Sequence, residues 1–448
     1  MRAESIRLAL ALLSTGLAAM SGAGHAASAA EPIAPVPPAL ETPSLPDNAF
    51  PADADDPAIW VHPRRPARSL VVTAVKNGGL RVYDLKGRLV QRIDPVTSAA
   101  GDGRINNVDV AYGLPLGKGR RIDVAVASDR GLDVIRVYRI DGDAARPLTE
   151  ITADPAARAF PTRPRANGGG AEPNPLDDQQ TAYGLALWQD RAAGRLFAVA
   201  TQRGQARLGL FRLTGRADGK VEVGYRRDFR FPLIHDGQDL RAESDDPLRD
   251  WSPQFEGLAV DQRTGMLYAG QEDVGIWRVD LAAGTADARP FYETRGSRAS
   301  SFHEPRSRIA RDVEGLCIYQ GPGQRGYLLA SSQGNAHGET PTPDAPFDDS
   351  FAVFDLRGRA TPVYRGSFRV GSTRRIDATQ ESDGAEVLST GLPGFPQGLF
   401  ITQDGYDDDF LSGEPKRTNF KYVPWQRVAA SFDPPLLVAP GAWNPRAR

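Results

Sequence analysis

The chain has 448 residues and a formal net charge of −2, which excludes a basic nucleic-acid-binding stripe as its dominant feature. Its 40% apolar and 25% charged residues suit a soluble globular protein, and 46 glycines with 36 prolines supply turns for many short strands. The one cysteine, Cys317, excludes an intramolecular disulfide, so packing or bound metal must stabilise the fold.

At the N-terminus, Arg2 and Arg7, diluted by Glu4, precede the apolar stretch Leu8 to Ala19. Gly24-His25-Ala26 and Ala27-Ser28-Ala29 both suit cleavage, and the apolar run is too short for a span. Residues 1–30 therefore read as a secretory signal peptide, the product being periplasmic or extracellular with no membrane association after cleavage. No cysteine follows that run, which argues against lipid attachment. Residues 31–48 contain six prolines and read as an extended arm, able to add an edge strand to a closed ring. Residues 49–435 carry the repeats, and 436–448 form a tail.

Six apolar strands open with an acidic, amide or aromatic residue: Asp56-Pro57-Ala58-Ile59-Trp60, Asn107-Val108-Asp109-Val110, Tyr183-Gly184-Leu185-Ala186, Glu256-Gly257-Leu258-Ala259, Glu314-Gly315-Leu316-Cys317 and Asp383-Gly384-Ala385-Glu386-Val387. Two or three further strands follow each opening, and the sixth group is one strand short of four. The third strand of five groups ends aromatic-x-apolar, as in Tyr83-Asp84-Leu85, Tyr138-Arg139-Ile140, Phe211-Arg212-Leu213, Trp277-Arg278-Val279 and Phe354-Asp355-Leu356. No helical periodicity stands out beyond the leader. Repeats built only of strands predict an all-β, six-bladed β-propeller, with the opening strands innermost. In the fourth group the outer strand is expected at Ala288–Tyr292.

The acidic openings would then converge on one mouth, where unpaired carboxylates repel and resist burial. Asp312 stands two residues before Glu314, Glu272 and Gln333 end second strands, and Asp377 and Asp383 precede the sixth group. Hard cations answer that repulsion, calcium first among them. An isolated acidic residue beside a turn is more often simply solvated; the matched phase of the set is what favours metal. Lys76, Arg130 and Arg203 occupy the positions of Glu272 and Gln333 in the first three groups. One side of the mouth is thus basic and the other acidic, an arrangement suited to phosphate. Surface charges paired between blades would give the same spacing.

Several runs are specific: Asp55-Asp56-Pro57-Ala58-Ile59-Trp60, Asn106-Asn107-Val108-Asp109-Val110, Tyr183-Gly184, Glu256-Gly257, Glu272-Asp273 with Ile276-Trp277, Asp312-Val313-Glu314-Gly315-Leu316, Gly326-Tyr327-Leu328-Leu329-Ala330-Ser331-Ser332-Gln333-Gly334-Asn335, and Asn419-Phe420-Lys421-Tyr422-Val423-Pro424-Trp425. In these motifs, from Asp53 to Trp425, the chain resembles the β-propeller phytases, calcium-dependent phosphatases acting on inositol hexakisphosphate. The resemblance implies several calcium ions, catalytic and structural. It places Asp56, Glu256, Glu272, Asp312, Glu314 and Asp383 around a catalytic cluster, and assigns Gln333 and Asp377 to structural calcium. Tyr183, Glu256, Glu272 and Glu314 become the catalytic group, and Lys76, Arg130, Tyr183 and Arg203 the phosphate-binding one. Departures from the family pattern are Asn77 and Arg203 where lysines are common, Gln271 for a second Glu, and Asp404 and Tyr406 at other oxygen-bearing positions. The insertion 336–349 has no assigned counterpart.

The expected reaction is in-line attack on phosphorus by a calcium-activated water, since no protein nucleophile is evident. Gly323 stands where a cysteine phosphatase needs arginine, and the five histidines include no Arg-His pair. The substrate implied by the resemblance is phytate or its calcium salt, and the protein is expected to be a monomer that binds no nucleic acid. Two other readings are a calcium-dependent propeller lactonase, which has little use for the three cations, and a non-enzymatic calcium-stabilised binding propeller.

Overall fold

Short apolar runs separated by Gly, Asp and Asn turns can satisfy their backbone groups only by pairing with the next run in the chain, and antiparallel meanders result. In the computed structural model, residues 33–45, 52–117, 119–161, 176, 179–334, 347–407 and 417–447 are described. The leader 1–30, parts of the arm, Asn335 and most of the 336–349 insertion lie outside them. Ile33–Arg448 forms one unit, almost wholly of strands and arranged as a six-bladed propeller.

Blade one runs Pro57–Trp60, Leu70–Ala74, Leu80–Asp84 and Leu89–Ile93, in sequence order from the axis outwards. Blade two follows with Ile105–Pro115, Arg121–Asp129, Val134–Ile140 and Leu148–Glu150, and blade three with Ala182–Asp190, Arg195–Gln202, Arg207–Gly215 and Val221–Arg230. Blade four has Phe255–Asp261, Met266–Gln271 and Gly275–Asp280. Its outer edge is two short strands, Thr285–Ala286 and Tyr292–Glu293, where the sequence suggested one. Pro290 lies in the gap and has no N–H to give a ladder. Blade five comprises Val313–Gln320, Arg325–Ser332, Ser350–Arg357 and Val363–Val370.

Blade six has three strands of its own, Ala385–Leu388, Leu399–Asp404 and Asn419–Pro424. The missing fourth comes from the proline-rich arm, whose Leu40–Glu41 pairs antiparallel with Lys421 and Tyr422. Upstream, Ala34–Val36 adds a parallel fifth strand to blade five against Phe368–Val370. The arm therefore staples the last blades and covers two open edges, which would otherwise invite pairing with other chains.

The core is divided between the blades. Six buried apolar clusters each fill one interface between neighbouring blades, as Trp188, Phe197 and Leu208 of blade three meet Leu258, Leu267 and Trp277 of blade four. The recurring aromatics Tyr83, Tyr138, Phe211, Trp277 and Phe354 are all buried there. Truncating one of them to alanine should cost about 3–5 kcal/mol. Cys317 is likewise buried. The one α-helix among the described residues, Trp425–Ala430, follows blade six, and its Trp425 stacks on Tyr319 with ring centroids 4.1 Å apart. At six residues it is too short to impose a readable helical period. Among the described residues no helix is long and apolar enough to cross a membrane.

Candidate active site

A β-bulge opens the innermost strand of blades two to five. In blade four, Phe255 pairs with Gln271 and Leu258 with Ala269, so Glu256 and Gly257 together oppose the single residue Gly270. The same slip sets Glu314-Gly315 in blade five, Tyr183-Gly184 in blade three and Asn106-Asn107 in blade two. Backbone hydrogen bonds of Asp55 and Asp56 with Ala74, and of Gln403 with Gly384, place Asp55-Asp56 and Asp383-Gly384 in the same phase. A bulge turns a side chain away from the alternation of its strand, and here it brings one residue per blade to a common mouth. That ring is Asp55, Asn106, Tyr183, Glu256, Glu314 and Asp383. Asp56 and Asn107, the openings read from sequence, instead take the glycine position one step down the channel. Glycine is required elsewhere at that step because the inner strands nearly touch. A Cβ on Gly257 would lie 1.9 Å from the Glu314 carbonyl oxygen, and one on Gly184 would lie 1.9 Å from that of Glu256.

The residues just after each second strand complete the mouth, and hydrogen bonds join the set into a closed circuit. Ile105 N–H donates to Lys76 O at 3.1 Å, and Arg130 N–H to Arg104 O at 2.8 Å. Thr181 links Arg130 to Arg203, its hydroxyl donating to Arg130 O at 2.6 Å while its own carbonyl accepts from Arg203 N–H at 3.0 Å. Gln254 then takes Gly204 N–H on Oε1 at 3.2 Å and donates from Nε2 to Glu272 Oε2 at 2.6 Å. Asp312 N–H donates to Glu272 O at 2.8 Å and Gln333 N–H to Asp312 O at 3.2 Å. Gln333 Nε2 reaches Asp383 Oδ1, and Lys76 Nζ lies 3.0 Å from Asp383 Oδ2, closing the circle.

The acidic arc is buried and under electrostatic tension. Glu256, Glu272 and Glu314 each offer an oxygen, and these three oxygens all lie within 4.8 Å of one another. Glu272 Oε1 and Glu314 Oε2 are shut off from solvent with no hydrogen-bond partner among the described residues. Burial first, and then the neighbouring carboxylates, push Glu272 and Glu314 well above the usual carboxylate range; Glu256 is raised by burial and Asp383. Burial and the same three glutamates hold the Tyr183 phenol far up, so it stays protonated and donates to Glu256. Asp312, with a left-handed φ of 74°, belongs to this arc, next to Glu272 and Glu314.

The basic arc faces it. Lys76, also left-handed at φ 44°, lies 3.2 Å from Asp53 and 3.5 Å from Asp55 in addition to Asp383. Burial alone would lower its pKa, but those carboxylates outweigh burial and hold it well above normal. Among the described residues Arg130 has only neutral partners: Asn106 Oδ1 at 3.0 Å, Gln179 Oε1 at 3.1 Å and the Tyr183 ring at 5.1 Å. Arg203 sits one residue beyond its strand, in the phase of Arg130 and Glu272.

Not every expected ligand joins this mouth. Asp56 lines the channel below, its Oδ2 accepting from Val108 N–H at 3.0 Å. Asp377 is elsewhere, between blade six and the arm, where an oxygen from each of Asp377, Glu41 and Asp407 lies within 4.8 Å of the others. Lys421 Nζ reaches Asp377, and also Glu41 at 2.6 Å and Asp404 at 3.0 Å. Asn106, Gln254 and Arg104 had no role in the sequence reading. Their signal is positional: each lies at, or two residues before, the bulged residue of its blade.

A family model for phytase matches residues 4–446. The chain belongs to the phytase family. It is a phosphoric monoester hydrolase, and its substrate a small molecule. The 3-phytase of Bacillus subtilis (strain 168) is 32% identical over 381 residues, covering 84% of this chain and 80% of that protein. Among solved structures, the Myceliophteria thermophila Cps50 (Swd1) β-propeller domain aligns with a TM-score of 0.38 at 11% identity, over 82% of this chain and 83% of that one. A putative oxidoreductase (glucose dehydrogenase) from Thermus thermophilus aligns at 0.39 and 13%, over 85% and 99%.

In this phytase the channel below the mouth has a volume of about 140 Å³, and Trp443 and Pro445 of the C-terminal tail line it together with Asp109 and Glu386. Arg191 lies over the Trp443 ring at 4.7 Å, and Arg446 donates to Val61 O at 2.7 Å.

Proposed function

We propose that the chain is a secreted, calcium-dependent phytase that removes phosphate from myo-inositol hexakisphosphate. The observation carrying this reading is the trio Glu256, Glu272 and Glu314, buried with two orphaned oxygens and facing an arc of cations. A buried carboxylate set that has too few donors is a poor resting state for a protein alone, and its all-oxygen chemistry fits calcium. Glu256, Glu272, Asp312, Glu314 and Asp383 would hold the ions at the mouth, with Asp56 below them. Calcium bound there would supply charge neutralisation for phosphoryl oxygens and make a nearby water more acidic.

The remaining work falls to the protein's own groups. Arg130 and Arg203 bind and orient substrate phosphates, Arg130 by a planar fork of donors. Lys76 holds Asp383 and Asp55 in place and presents its charge to a phosphate. Tyr183, kept protonated, donates to Glu256 and fixes that carboxylate's orientation. Gln254 and Asn106 do the same for Glu272 and Glu256 through amide donors. Preorganised groups of this kind act on phosphoryl transfer by positioning and charge stabilisation.

Gln333 and Asp377 are assigned to structural calcium, supported for Asp377 by its buried Oδ2, which has no hydrogen-bond partner among the described residues. Export rests on the leader pattern in residues 1–30, and N-terminal sequencing of protein from culture medium and periplasm tests it. The substrate enters as free phytate or its calcium salt, and the protein acts as a monomer. The deciding assay is phosphate release from sodium phytate by residues 31–448, with calcium and again after EGTA. Release that depends on calcium is expected. Folded protein with no release in either condition overturns the reading.

A further inference from the structure

Opposite the bulges of blades two, three and five stands a buried hydroxyl. In blade two Ala127 pairs with Val108 and Asp129 with Ile105, so Asn106 and Asn107 together face Ser128. Thr201 has that place in blade three, facing Tyr183-Gly184, and Ser331 has it in blade five, facing Glu314-Gly315. All three side chains are buried. Blade four has Gly270 there, where a Cβ would come within 3.1 Å of Val313 O. A bulge takes a backbone N–H out of the ladder, and a buried N–H must then find another acceptor. Ser128 Oγ accepts Asn107 N–H at 3.0 Å, and Thr201 Oγ1 accepts Gly184 N–H at 2.8 Å.

Ser128 does more than fill that gap. Its hydroxyl also donates across the interface to Tyr183 O, at the bulge of blade three. Ser331 reaches from blade five in the same way, donating to Ser382 O at 2.6 Å, next to Asp383. The two bulges that meet at Ser128 converge again on one carboxylate. Asn106 Nδ2 donates to Glu256 Oε1 at 2.6 Å, and the Tyr183 phenol donates to Glu256 as well. Neither donor belongs to blade four, which carries Glu256. One buried hydroxyl therefore sets the spacing of two neutral donors that hold this carboxylate from neighbouring blades.

We propose that Ser128 is a positioning residue for the reaction: by tying the bulge of blade two to that of blade three, it fixes Asn106 and Tyr183 and, through them, the orientation of Glu256. The kinetic side of this inference rests on the phytase reading above, whereas its effect on cation binding at Glu256 does not need turnover. Ser128 touches no substrate and moves no proton. Without its hydroxyl, Asn107 N–H and Tyr183 O lose a buried partner, and the two bulges must shift to recover one. Threonine can do the same work, since Thr201 occupies the matching position in blade three.

The test compares wild-type protein with S128A, S128T and T152V. Thr152 is the control from the same blade: its Oγ1 accepts Val137 N–H at 3.0 Å and donates to Glu150 Oε1 at 3.0 Å, at the outer edge. Calcium chloride is titrated by calorimetry into each protein after chelation, and kcat/KM for phytate is measured in excess calcium. S128A should bind calcium about tenfold more weakly and lose about tenfold in kcat/KM, the usual size for a lost buried hydrogen bond. S128T should recover most of both losses. T152V should match wild type in both, although its melting temperature falls as that of S128A does. Equal calcium affinity in wild type and S128A overturns the assignment, as does an unchanged kcat/KM in enzyme that releases phosphate. An equal fall in T152V, or no recovery in folded S128T, overturns it too. Wild-type protein that binds calcium, weakens in S128A, yet releases nothing from phytate would sink the phytase reading and leave the role of Ser128 at Glu256 standing. Should S128A fail to fold, Ser128→Cys keeps the shape with a weaker donor and should weaken calcium binding about threefold; unaltered affinity there overturns the proposal.

Discussion

Asn106 donates from Nδ2 to Glu256 Oε1 at 2.6 Å and so joins the basic arc to the acidic one across the mouth. Its Oδ1 takes Arg130 Nη1 at 3.0 Å, so one amide orients a phosphate-binding cation and a carboxylate together. Asn106→Leu removes both bonds at similar volume. It should lower kcat/KM for phytate about 10- to 100-fold, the range for losing a hydrogen bond to a charged group. Initial-rate kinetics beside a melting curve separate this from unfolding; full activity in a folded variant would show that the bridge is incidental.

Glu256→Gln and Glu314→Gln keep shape but remove a charge each from the trio. Phosphate release should drop by about 10²- to 10³-fold in either variant, with the circular dichroism of the fold retained. Activity surviving in both would place the catalytic cluster elsewhere.

Calcium binding should release protons. Burial and mutual repulsion raise Glu272 and Glu314, so in the metal-free protein they keep protons at a pH where ordinary glutamates have lost them. A cation needs them ionised, so affinity should rise with pH through their raised range. Calorimetry in two buffers of different ionisation enthalpy reads the proton count, and identical heats in both would contradict the assignment.

Asp133 offers a pH test on a carboxylate outside the acidic arc. Its carboxylate accepts from Phe160 N–H at 2.9 Å and Ala182 N–H at 3.0 Å, yet burial still raises its pKa to about 6. The folded protein thus binds this proton more tightly than the unfolded chain does. Its favourable contribution is complete below about pH 4 and is lost as pH rises to about 6. The shift corresponds to about 3 kcal/mol. Asp133→Asn should therefore lose less stability than wild type between pH 4 and 6 in urea titrations, and parallel curves would disprove the assignment.

Lys421 is fully buried among Glu41, Asp377 and Asp404, and ties the arm to blade six. Lys421→Met leaves those carboxylates without their cation and should cost about 3–5 kcal/mol. Urea denaturation measures it, and added calcium should restore part of the loss at Glu41, Asp377 and Asp407. No change in stability would mean that the carboxylates are protonated without penalty.

Much of this architecture is legible from local pattern. The aromatic-x-apolar endings mark third strands because those aromatics fill the interfaces between blades, and such packing depends on residue type alone. The chemical character of the mouth is legible too, since Lys76, Arg130, Arg203, Glu272 and Gln333 share one phase after their second strands. The openings were less so. Asp56 and Asn107 look like the counterparts of Glu256 in a simple alternation, whereas the bulge shifts the mouth to Asp55 and Asn106.

By itself, then, the sequence determined the repeat, the strands of every blade except the split outer edge of the fourth, and the kinds of charge brought to one end, because each depends on short-range alternation and turn chemistry. The tertiary structure decided the rest. Closure by the arm, the pairing of Arg104 with Asn77 and the bridge from Asn106 to Glu256 join residues 27 to 390 positions apart or in different blades. No local rule encodes such contacts, because a one-residue bulge reverses where a side chain points and only blade-to-blade packing fixes which groups then meet.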